Sequence, residues 1–519
     1  MFELLIKNAE MFDGTGSEPY IADLAVQDGK IAAIGKDLGP AEAVVDAQGR
    51  ALSPGFIDCH SHADNWITAY PDRTHVLRMG VTTEIAGNCG NTQFPVNRGT
   101  GDLDGGECFD SLNAFFDRLN QQDLGPNLAV FAGHGNLRRL AMGIENRKAG
   151  EQEVAIMRES LRQSLEEGAL GYTTGLSYVP GIYADTWELA EVAKELKPYG
   201  ALYSTHSRSE SAGLFKSVQE CIDIARIADV PVNISHFKVV GKTFWPRCAE
   251  ALAMIDQANA EGLTVTLDAY PYTAVSTTTL SAIHPRYLDQ GPAAFAKMLE
   301  NPIIVEELRR EIFEIDDPSW DNSALHVGLE NFLIVTASQT PWVVGKTYAE
   351  AAKEMGVTPY EAMVELLKAN HGVIRDVRFA MSEENLEMIL KHPLCIVGSD
   401  GIYVHGRDKL THPRGLGTFP RYLGRYIRER KILSRQEGIR RCTGMTADRF
   451  HIANKGYLKV GYDADLVLFD FDTIIDHADF YEPFKPNEGI HQVYMQGKLV
   501  LEDNEPTGIA VGRCLRRGV

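Results

Sequence analysis

The sequence predicts an α/β protein whose main domain is a (β/α)8 barrel of the TIM type, with a small β-sandwich domain and an inserted subdomain. Three observations carry this prediction. Eight buried apolar runs alternate with helical patterns, short alternating strands flank them at both chain ends, and one gap is too long for a single crossover. Because one barrel can absorb about 250 to over 400 residues, a chain of 519 residues needs no second large domain.

The two chain ends have the texture of small antiparallel sheets. Residues 3–50 alternate apolar and polar residues in short runs separated by glycine and aspartate, and residues 463–503 repeat this pattern. Two such segments can pair into one sandwich. We therefore assign residues 1–53 and 451–519 to a β-sandwich, and residues 54–450 to the barrel.

The candidate barrel strands are apolar runs bounded by polar residues or glycine. They end at His60, Gly87, Gly133, Thr174, His206, His236, Ala269 and Asp400. Eight parallel strands are the number that closes such a barrel. The segments between them, such as 152–168 and 186–200, carry apolar residues at helical spacing and end at glycine.

One crossover is unusually long. Residues 274–393, a stretch of 120 residues, separate Thr273 from Leu394. Part of this stretch, about 285–345, is predicted to be an inserted subdomain over the barrel mouth. The role of a second insertion, residues 95–110, is left open by the sequence.

Composition restricts the function classes. The chain is 44% hydrophobic and 24% charged, as ordinary globular enzymes are. Its net charge of −20 argues against a nucleic-acid or anionic-membrane partner, because both require a basic face. The eight cysteines are scattered and the first residues do not resemble a signal peptide, so we expect a cytoplasmic protein with reduced thiols.

The strongest chemical signal is a His-x-His pair at the first strand end. His60 and His62 are two residues apart on an extended segment, so both imidazoles can reach one ion. His206, His236 and Asp400 occupy equivalent strand ends, where barrel enzymes keep their catalytic groups. Taken singly, each is more often a cap or a core residue, but their coincidence at one barrel edge predicts a metal site.

Cys89 is a less obvious candidate ligand. It lies in the segment AGNCGN just after the second strand, and a buried thiol in a glycine-rich turn is the ordinary interpretation. The turn between Gly87 and Gly90, however, lets the backbone bring a thiolate close to a metal, and zinc accepts both Cys and His.

These residues, in this order, resemble the amidohydrolase superfamily and specifically its D-aminoacylase (N-acyl-D-amino-acid deacylase) branch. Seven further segments carry the resemblance, which covers nearly the whole chain. They are GHGNLR (133–138), TTGLSYVPG (173–181), THSRSE (205–210), SHFKVVGK (235–242), DAYPYTA (268–274), SDG…HPR (399–414) and GYDADLVLFD (461–470).

The resemblance implies a particular metal arrangement. Most members of the superfamily bridge two metals with a carboxylated lysine on the fourth strand, but this chain has no lysine between Lys148 and Lys194. In the D-aminoacylase branch a cysteine provides the bridging anion instead. By resemblance, one zinc is held tightly by Cys89, His206 and His236. A second, weaker site would use His60, His62 and Cys89, with Asp400 as a further ligand.

The expected reaction is hydrolysis of an N-acyl-D-amino acid. Zinc lowers the pKa of a bound water to about 7 and polarises the carbonyl, and Asp400 is the candidate general base. Lys238 and Arg414 are implied to hold the α-carboxylate, with Tyr270 or Tyr272 assisting. D selectivity rests on resemblance alone, and the sequence leaves a monomer and a homo-oligomer equally open.

The pocket for the substrate side chain is expected to be uncharged. Members that act on N-acyl-D-glutamate place an arginine shortly after the serine that corresponds to Ser276. Here that serine is followed by Thr277-Thr278-Thr279-Leu280, and the next arginine is Arg286. An apolar side chain is therefore the better prediction, unless Arg286 reaches the site from the insert.

Three alternatives remain at this stage. A dihydroorotase-like or hydantoinase-like cyclic amidohydrolase shares the barrel, but it uses the lysine that is missing here. A catalytically silent, metal-free barrel acting as a binding protein predicts a broken ligand set, whereas all six ligands are present. A deaminase shares the His-x-His pair and the aspartate but has no thiolate ligand.

Overall fold

The computed structural model describes residues 1–96, 107–402 and 410–518. Most of the 95–110 insertion therefore lies outside the described residues. The strands are β1 (Phe2–Met11), β2 (Tyr20–Gln27), β3 (Lys30–Gly35), β4 (Ala41–Asp46), β5 (Ala51–Pro54), β6 (Phe56–Asp58), β7 (Val81–Ala86), β8 (Asn127–Val130), β9 (Ala132–Gly133), β10 (Gly171–Gly175), β11 (Leu202–His206), β12 (Val232–Ile234), β13 (Val265–Ala269), β14 (Val275–Thr278), β15 (Phe332–Thr336), β16 (Arg375–Arg378), β17 (Cys395–Val397), β18 (Leu466–Phe469), β19 (Ile490–Met495), β20 (Lys498–Glu502) and β21 (Glu505–Pro506).

The α-helices lie mostly between the parallel strands and in the long crossover. They are α1 (Thr74–Leu77), α2 (Leu112–Leu119), α3 (His134–Met142), α4 (Glu151–Glu166), α5 (Thr186–Ala193), α6 (Leu214–Ala228), α7 (Cys248–Ala260), α8 (Pro292–Met298), α9 (Pro302–Glu314), α10 (Ser323–His326), α11 (Tyr348–Met355), α12 (Pro359–Ala369), α13 (Glu383–Lys391), α14 (Arg414–Arg421), α15 (Arg435–Cys442) and α16 (Gly444–Phe450). A π-helix, Tyr422–Glu429, continues α14.

Strands from both chain ends share one sheet. Within the described residues, β5 pairs antiparallel with β18 and joins the strands of the first 54 residues to β18–β21. The alternating apolar residues of these strands form one buried cluster, which includes Leu24, Leu52 and Leu466. Every residue of β5 and β18 is buried, and their other alternating set, Ala51, Val467 and Phe469, belongs to a second and larger core, so this part of the sheet is buried on both faces.

Two parallel sheets contain all eight predicted barrel strands. One sheet has the order β6-β7-β8, and the other has the order β9-β10-β11-β12-β13-β17. Only Phe131 separates β8 from β9, and its N–H donates to the carbonyl of Ala86 at 3.0 Å. At the opposite edge, Ser61 and Gly401 form a parallel bridge that links the segments after β6 and β17. The crossover helices α2–α7 and α13 pack their apolar faces against these strands in one large core.

The crossover between β13 and β17 holds a separate unit. Its strands form an antiparallel sheet in the order β14-β16-β15, and its helices α8–α12 surround an apolar cluster of their own. This cluster runs from Leu280 to Ile374, so the unit is longer than the predicted insert at about 285–345. Tyr183 donates to the carbonyl of Pro285 at 2.8 Å, which places the unit against the loop after β10.

A fully buried ion cluster fixes α3 against α5. Glu188 of α5 accepts from His134 Nε2 at 2.9 Å and pairs with Arg138, and all three side chains are inaccessible to solvent. Asp185 caps α5 by accepting from the Glu188 N–H at 3.0 Å, so the helix start places the carboxylate. Burial raises the pKa of Glu188, but His134 and Arg138 outweigh it and hold the pKa at about 2.

Replacing Glu188 with glutamine should lower the free energy of unfolding by about 3–5 kcal/mol, because Arg138 is left as an unpaired buried charge. Urea denaturation at pH 7 measures this. Glu191→Gln on the same helix, where Lys194 is a partly exposed partner, should cost less than about 1 kcal/mol. Because folding lowers the pKa of Glu188, the stability that its carboxylate contributes should be lost as the pH falls from about 4.5 towards 2. Equal losses in the two variants would contradict this assignment.

Candidate metal centre

The polar ends of the parallel strands converge on one point. The side chains that meet there follow or end β6, β7, β11, β12 and β17, and they are His60, His62, Cys89, His206, His236 and Asp400. Their ligand atoms form two groups, each within 4.8 Å. The groups are Cys89, His206 and His236, and His60, His62, Cys89 and Asp400. Cys89 belongs to both groups, so its sulfur lies between the two halves of the site.

The distances around the sulfur fit a metal ion. Cys89 Sγ lies 3.5 Å from His60 Nε2, 3.8 Å from His206 Nδ1 and 3.5 Å from His236 Nε2. In a tetrahedral zinc site, bond lengths of about 2.3 Å to sulfur and 2.0–2.1 Å to nitrogen place these ligand atoms about 3.6 Å apart. The donor set and its spacing therefore fit zinc.

The backbone is strained at three of the six positions. Cys89, His236 and Asp400 have positive φ angles of 55°, 36° and 50°. Such conformations cost a non-glycine residue of order 1–3 kcal/mol and concentrate at functional sites. Gly90 shows why the turn after β7 is rich in glycine, since a Cβ there would lie 2.6 Å from the backbone nitrogen of Gly175.

The charges of the site favour metal binding. Burial raises the pKa of the Cys89 thiol, but the nearby His60 and His236 outweigh it and lower the pKa well below its usual value. Burial lowers the pKa of His60, but Asp268 and Cys89 raise it well above its usual value. The lowered pKa of the thiol favours the thiolate form that a metal ligand requires.

Asp400 is held as a carboxylate. Burial raises the pKa of this group, but Arg414 and the surrounding histidines lower it well below its usual value. Arg414 Nη1 lies 2.7 Å from Asp400 Oδ2, and His62 Nε2 lies 3.1 Å from Asp400 Oδ1. One oxygen thus faces the histidines and the other faces the guanidinium, so Asp400 connects the metal ligands to a fixed cation.

Two carboxylates that the sequence reasoning missed contact the outer nitrogens of the histidines. Asp268 Oδ1 lies 3.3 Å from His60 Nδ1, and Glu210 Oε1 lies 3.2 Å from His236 Nδ1. Carboxylates in this position orient ligating imidazoles and raise their basicity. Asp268 could have been identified from the sequence, because it directly precedes the predicted strand end at Ala269.

Three of the predicted substrate-binding residues adjoin the metal ligands. Lys238 Nζ lies 2.6 Å from Glu210 Oε1 and 2.7 Å from His236 Nδ1. The Tyr270 ring lies between the two predicted cations, 5.6 Å from Lys238 Nζ and 4.7 Å from the Arg414 guanidinium carbon. Both cations have carboxylate partners, Glu210 for Lys238 and Asp400 for Arg414, which offset the cost of burying their charges.

The structure gives the other two predicted residues different surroundings. The Tyr272 hydroxyl donates to Asp476 at 3.1 Å, and the Tyr272 ring packs on the Arg421 guanidinium. The role of Tyr272 in substrate binding stays a prediction. Ser276 lies in β14, where its carbonyl accepts from Arg414 Nη2 at 3.4 Å, so it reaches the site through its main chain.

The loop after β10 adds two residues that the sequence reasoning did not single out. Ser177 Oγ lies 2.7 Å from His206 Nε2, which is the ring nitrogen on the side away from Cys89. The Tyr178 ring packs 4.8 Å from the His206 ring, and its hydroxyl lies 3.1 Å from Thr277 Oγ1. Both lie in the segment TTGLSYVPG, but no spacing rule distinguishes them from its other residues.

Arg286 has its partners within the inserted unit. Its guanidinium pairs with Glu311 of α9, lies 3.8 Å from Glu307 of the same helix, and contacts the hydroxyl of Tyr287. These contacts direct the charge towards α9, so Arg286 does not supply a cation to the metal-centre loops.

The chain is similar to known proteins over nearly its whole length. A family model described as "Amidohydrolase family" matches residues 43–283 and 329–501. A D-aminoacylase from Alcaligenes xylosoxydans xylosoxydans is 34% identical over 99% of this chain and 98% of its own length. This chain belongs to the amidohydrolase family. The N-acyl-D-glutamate deacylase of the same organism is 32% identical over 99% of this amidohydrolase and 96% of its own length.

Solved structures extend the likeness to three dimensions. A D-aminoacylase crystal structure, described as defining a novel subset of amidohydrolases, has a TM-score of 0.86 at 32% identity and covers both chains completely. An N-acyl-D-glutamate deacylase from Bordetella bronchiseptica, complexed with zinc and a phosphonate mimic of the tetrahedral intermediate, has a TM-score of 0.84 at 31% identity over 99% of both chains. An L-hydantoinase from Arthrobacter aurescens shares only the fold, with a TM-score of 0.56 at 18% identity over both whole chains.

Proposed function

We propose that this amidohydrolase hydrolyses N-acyl-D-amino acids to a D-amino acid and a carboxylate, with zinc as its metal. The observation that carries the proposal is the cluster in which Cys89 lies within 3.8 Å of three histidine nitrogens. The D-aminoacylase and N-acyl-D-glutamate deacylase relatives match over nearly their whole lengths. Selectivity for the D enantiomer is inferred from these relatives.

The proposed architecture follows from the parallel sheets. We infer that β6–β13 and β17 form one (β/α)8 barrel in which β8 and β9 count as a single strand. The bridge between Ser61 and Gly401 supports closure between the segments after β6 and β17. Residues 1–53 and 451–519 would form the β-sandwich domain and residues 54–450 the barrel. The gap of the family model at 284–328 supports the insertion.

Zinc held by Cys89, His206 and His236 would lower the pKa of a coordinated water and polarise the scissile carbonyl. His60 and His62, with Cys89 and Asp400, would form the second and weaker site. Asp268 and Glu210 fix the orientation of the histidines from outside.

The Asp400 carboxylate is proposed to accept the proton of the attacking water and to pass it to the departing nitrogen. It is ionised, and its Oδ1 faces the ligand cluster. Arg414 holds the other oxygen at 2.7 Å, which limits rotation of the carboxylate. Lys238 and Arg414, with Tyr270 between them, are proposed to bind the α-carboxylate of the substrate.

The side chain of the preferred substrate is proposed to be uncharged. Thr277 and Thr278 follow Ser276 in β14, and Arg286 is paired with the acids of α9. A substrate carboxylate in this pocket would therefore lack the partner that its desolvation requires. Leucine, methionine and phenylalanine side chains fit this environment best.

We propose the cellular setting from the cysteines, the helices and the net charge. No disulfide joins two cysteines in the part of the chain that the structure describes, which favours a reducing, cytoplasmic location. None of the helices in the described parts of the chain has the length and apolar character needed to cross a bilayer. The net charge of −20 disfavours nucleic-acid partners. The partner is thus a small molecule, and the active form is either a monomer or a homo-oligomer.

A paired screen tests the proposal. N-acetyl-D- and N-acetyl-L-leucine, -methionine, -phenylalanine and -glutamate are incubated with enzyme whose zinc content is measured on the same preparation, with a hydantoin as the competing substrate class. We expect turnover of the apolar D substrates, loss of turnover after chelation, and recovery on adding zinc. Activity towards hydantoins alone would favour the cyclic amidohydrolase, and protein purified without transition metal and lacking any turnover would favour the binding protein.

A further inference from the structure

An acid of the inserted unit reaches into a loop of the metal centre. Asp321 lies just before α10, and its Oδ1 accepts from the hydroxyls of Ser209 and Ser211 at 2.5 and 2.6 Å. Its Oδ2 accepts from the backbone N–H of Glu210 at 2.8 Å. One carboxylate thus binds three consecutive residues of the loop 207–213, which directly follows the metal ligand His206.

The loop carries the acid that contacts the substrate-binding lysine. Glu210 Oε1 lies 2.6 Å from Lys238 Nζ and 3.2 Å from His236 Nδ1. The Glu210 carbonyl also accepts from Val240 N–H at 2.8 Å, which joins this loop to the one that contains Lys238. The position of Glu210 therefore sets the positions of both the lysine and the imidazole.

Close packing strengthens the link between the insert and the loop. A Cβ added at Gly213 would lie 3.0 Å from the carbonyl oxygen of Pro318 and 2.9 Å from the Cβ of Ser209. The Ser209 hydroxyl also accepts from the Gly213 N–H at 3.0 Å, so the loop folds back on its own serine. Burial raises the pKa of Asp321, and the hydrogen bonds from the Ser209 and Ser211 hydroxyls lower it by a smaller amount.

We propose that Asp321 is a positioning residue that fixes Glu210, and through it Lys238, for recognition of the substrate α-carboxylate. This inference rests on the proposed function. Asp321 lies in residues 284–328, which the family model leaves unmatched. Through this one carboxylate the inserted unit would contribute to the positioning of Lys238.

Hydrogen exchange tests the first half of the proposal without any assay of activity. In Asp321→Ala, the backbone amides of residues 207–213 should exchange at least about tenfold faster than in the wild type. The loop can then open without breaking hydrogen bonds to Asp321, so opening costs less free energy. Asp317→Asn is the matched control, since Asp317 contacts Ser319 and His284 within the inserted unit. Unchanged exchange in Asp321→Ala would overturn the proposal.

Substrate selectivity tests the second half. The ratio of kcat/KM for N-acetyl-D-leucine to that for N-acetyl-D-leucinamide reports on α-carboxylate recognition, because the amide lacks that charge. This ratio should fall about tenfold in Asp321→Ala, mainly through KM for the acid, and should not change in Asp317→Asn. Gly213→Ala, which presses on Pro318 while keeping every charge, should shift the ratio in the same direction.

The conservative variant separates positioning from folding. Asp321→Asn keeps one acceptor for the Glu210 N–H, and the serine hydroxyls can rotate to accept from its amide, so it should retain most of the selectivity. Equal loss of acid and amide turnover in Asp321→Ala would show general damage and would overturn the positioning role. If the wild type hydrolyses neither compound, the proposed function fails, and the exchange measurement still decides whether Asp321 fixes the loop.

Discussion

Cys89→Ala should lose zinc on dialysis, and its kcat/KM should fall at least about 100-fold. Removing a residue that only orients a metal ligand costs up to about 100-fold, so removing the ligand itself should cost at least as much. The reason is geometric. The sulfur of Cys89 is the atom common to both ligand groups, so its loss leaves two histidines on one side and His60, His62 and Asp400 on the other. Zinc is measured by inductively coupled plasma mass spectrometry on the same samples that are assayed.

Cys221→Ala is the matched control for this prediction. Cys221 is as deeply buried as the ligands but lies on α6, where burial raises the pKa of its thiol and keeps it protonated. This variant should keep its zinc and its rate, with a loss confined to stability. Full zinc content and full activity in Cys89→Ala would refute the shared-thiolate site.

The parallel strands could be predicted from the sequence because their physical signal is local. Each is a short apolar run that ends in a polar residue or glycine, and burial on both faces requires such a run. The bounds of the inserted unit were harder to predict. Its core joins Leu280 to Ile374, and no local pattern reports a contact between residues so far apart in the chain.

That the six candidate ligands lie close together could be predicted for a different reason, since the carboxyl ends of neighbouring parallel strands meet at one edge. The partners of the ligands could not be predicted in this way. Glu210 contacts His236 from a different loop, and the Glu210 N–H donates to Asp321, more than 100 residues away in the chain. Tyr270 and Tyr272 illustrate the limit, because only the three-dimensional structure shows which one meets Arg414.

Asp400→Asn should lower kcat by about 10²–10⁴, the range that general acid–base catalysis contributes, while KM changes little. An amide keeps the size of the side chain and can still accept from Arg414, but it cannot take a proton from water at neutral pH. Zinc bound by Cys89, His206 and His236 should remain, since Asp400 does not belong to that ligand group.

Steady-state kinetics and zinc analysis of Asp400→Asn together decide the role of this residue. Asp472→Asn, which removes the same charge from an exposed position, provides the control and should match the wild type in both measurements. A fall in kcat with zinc retained assigns Asp400 to proton transfer. A rise in KM with kcat intact would instead assign it to substrate binding through Arg414, and loss of zinc would assign it to the metal. Because Asp400 contacts both His62 and Arg414, only the separation of these three readouts identifies which contact the reaction uses.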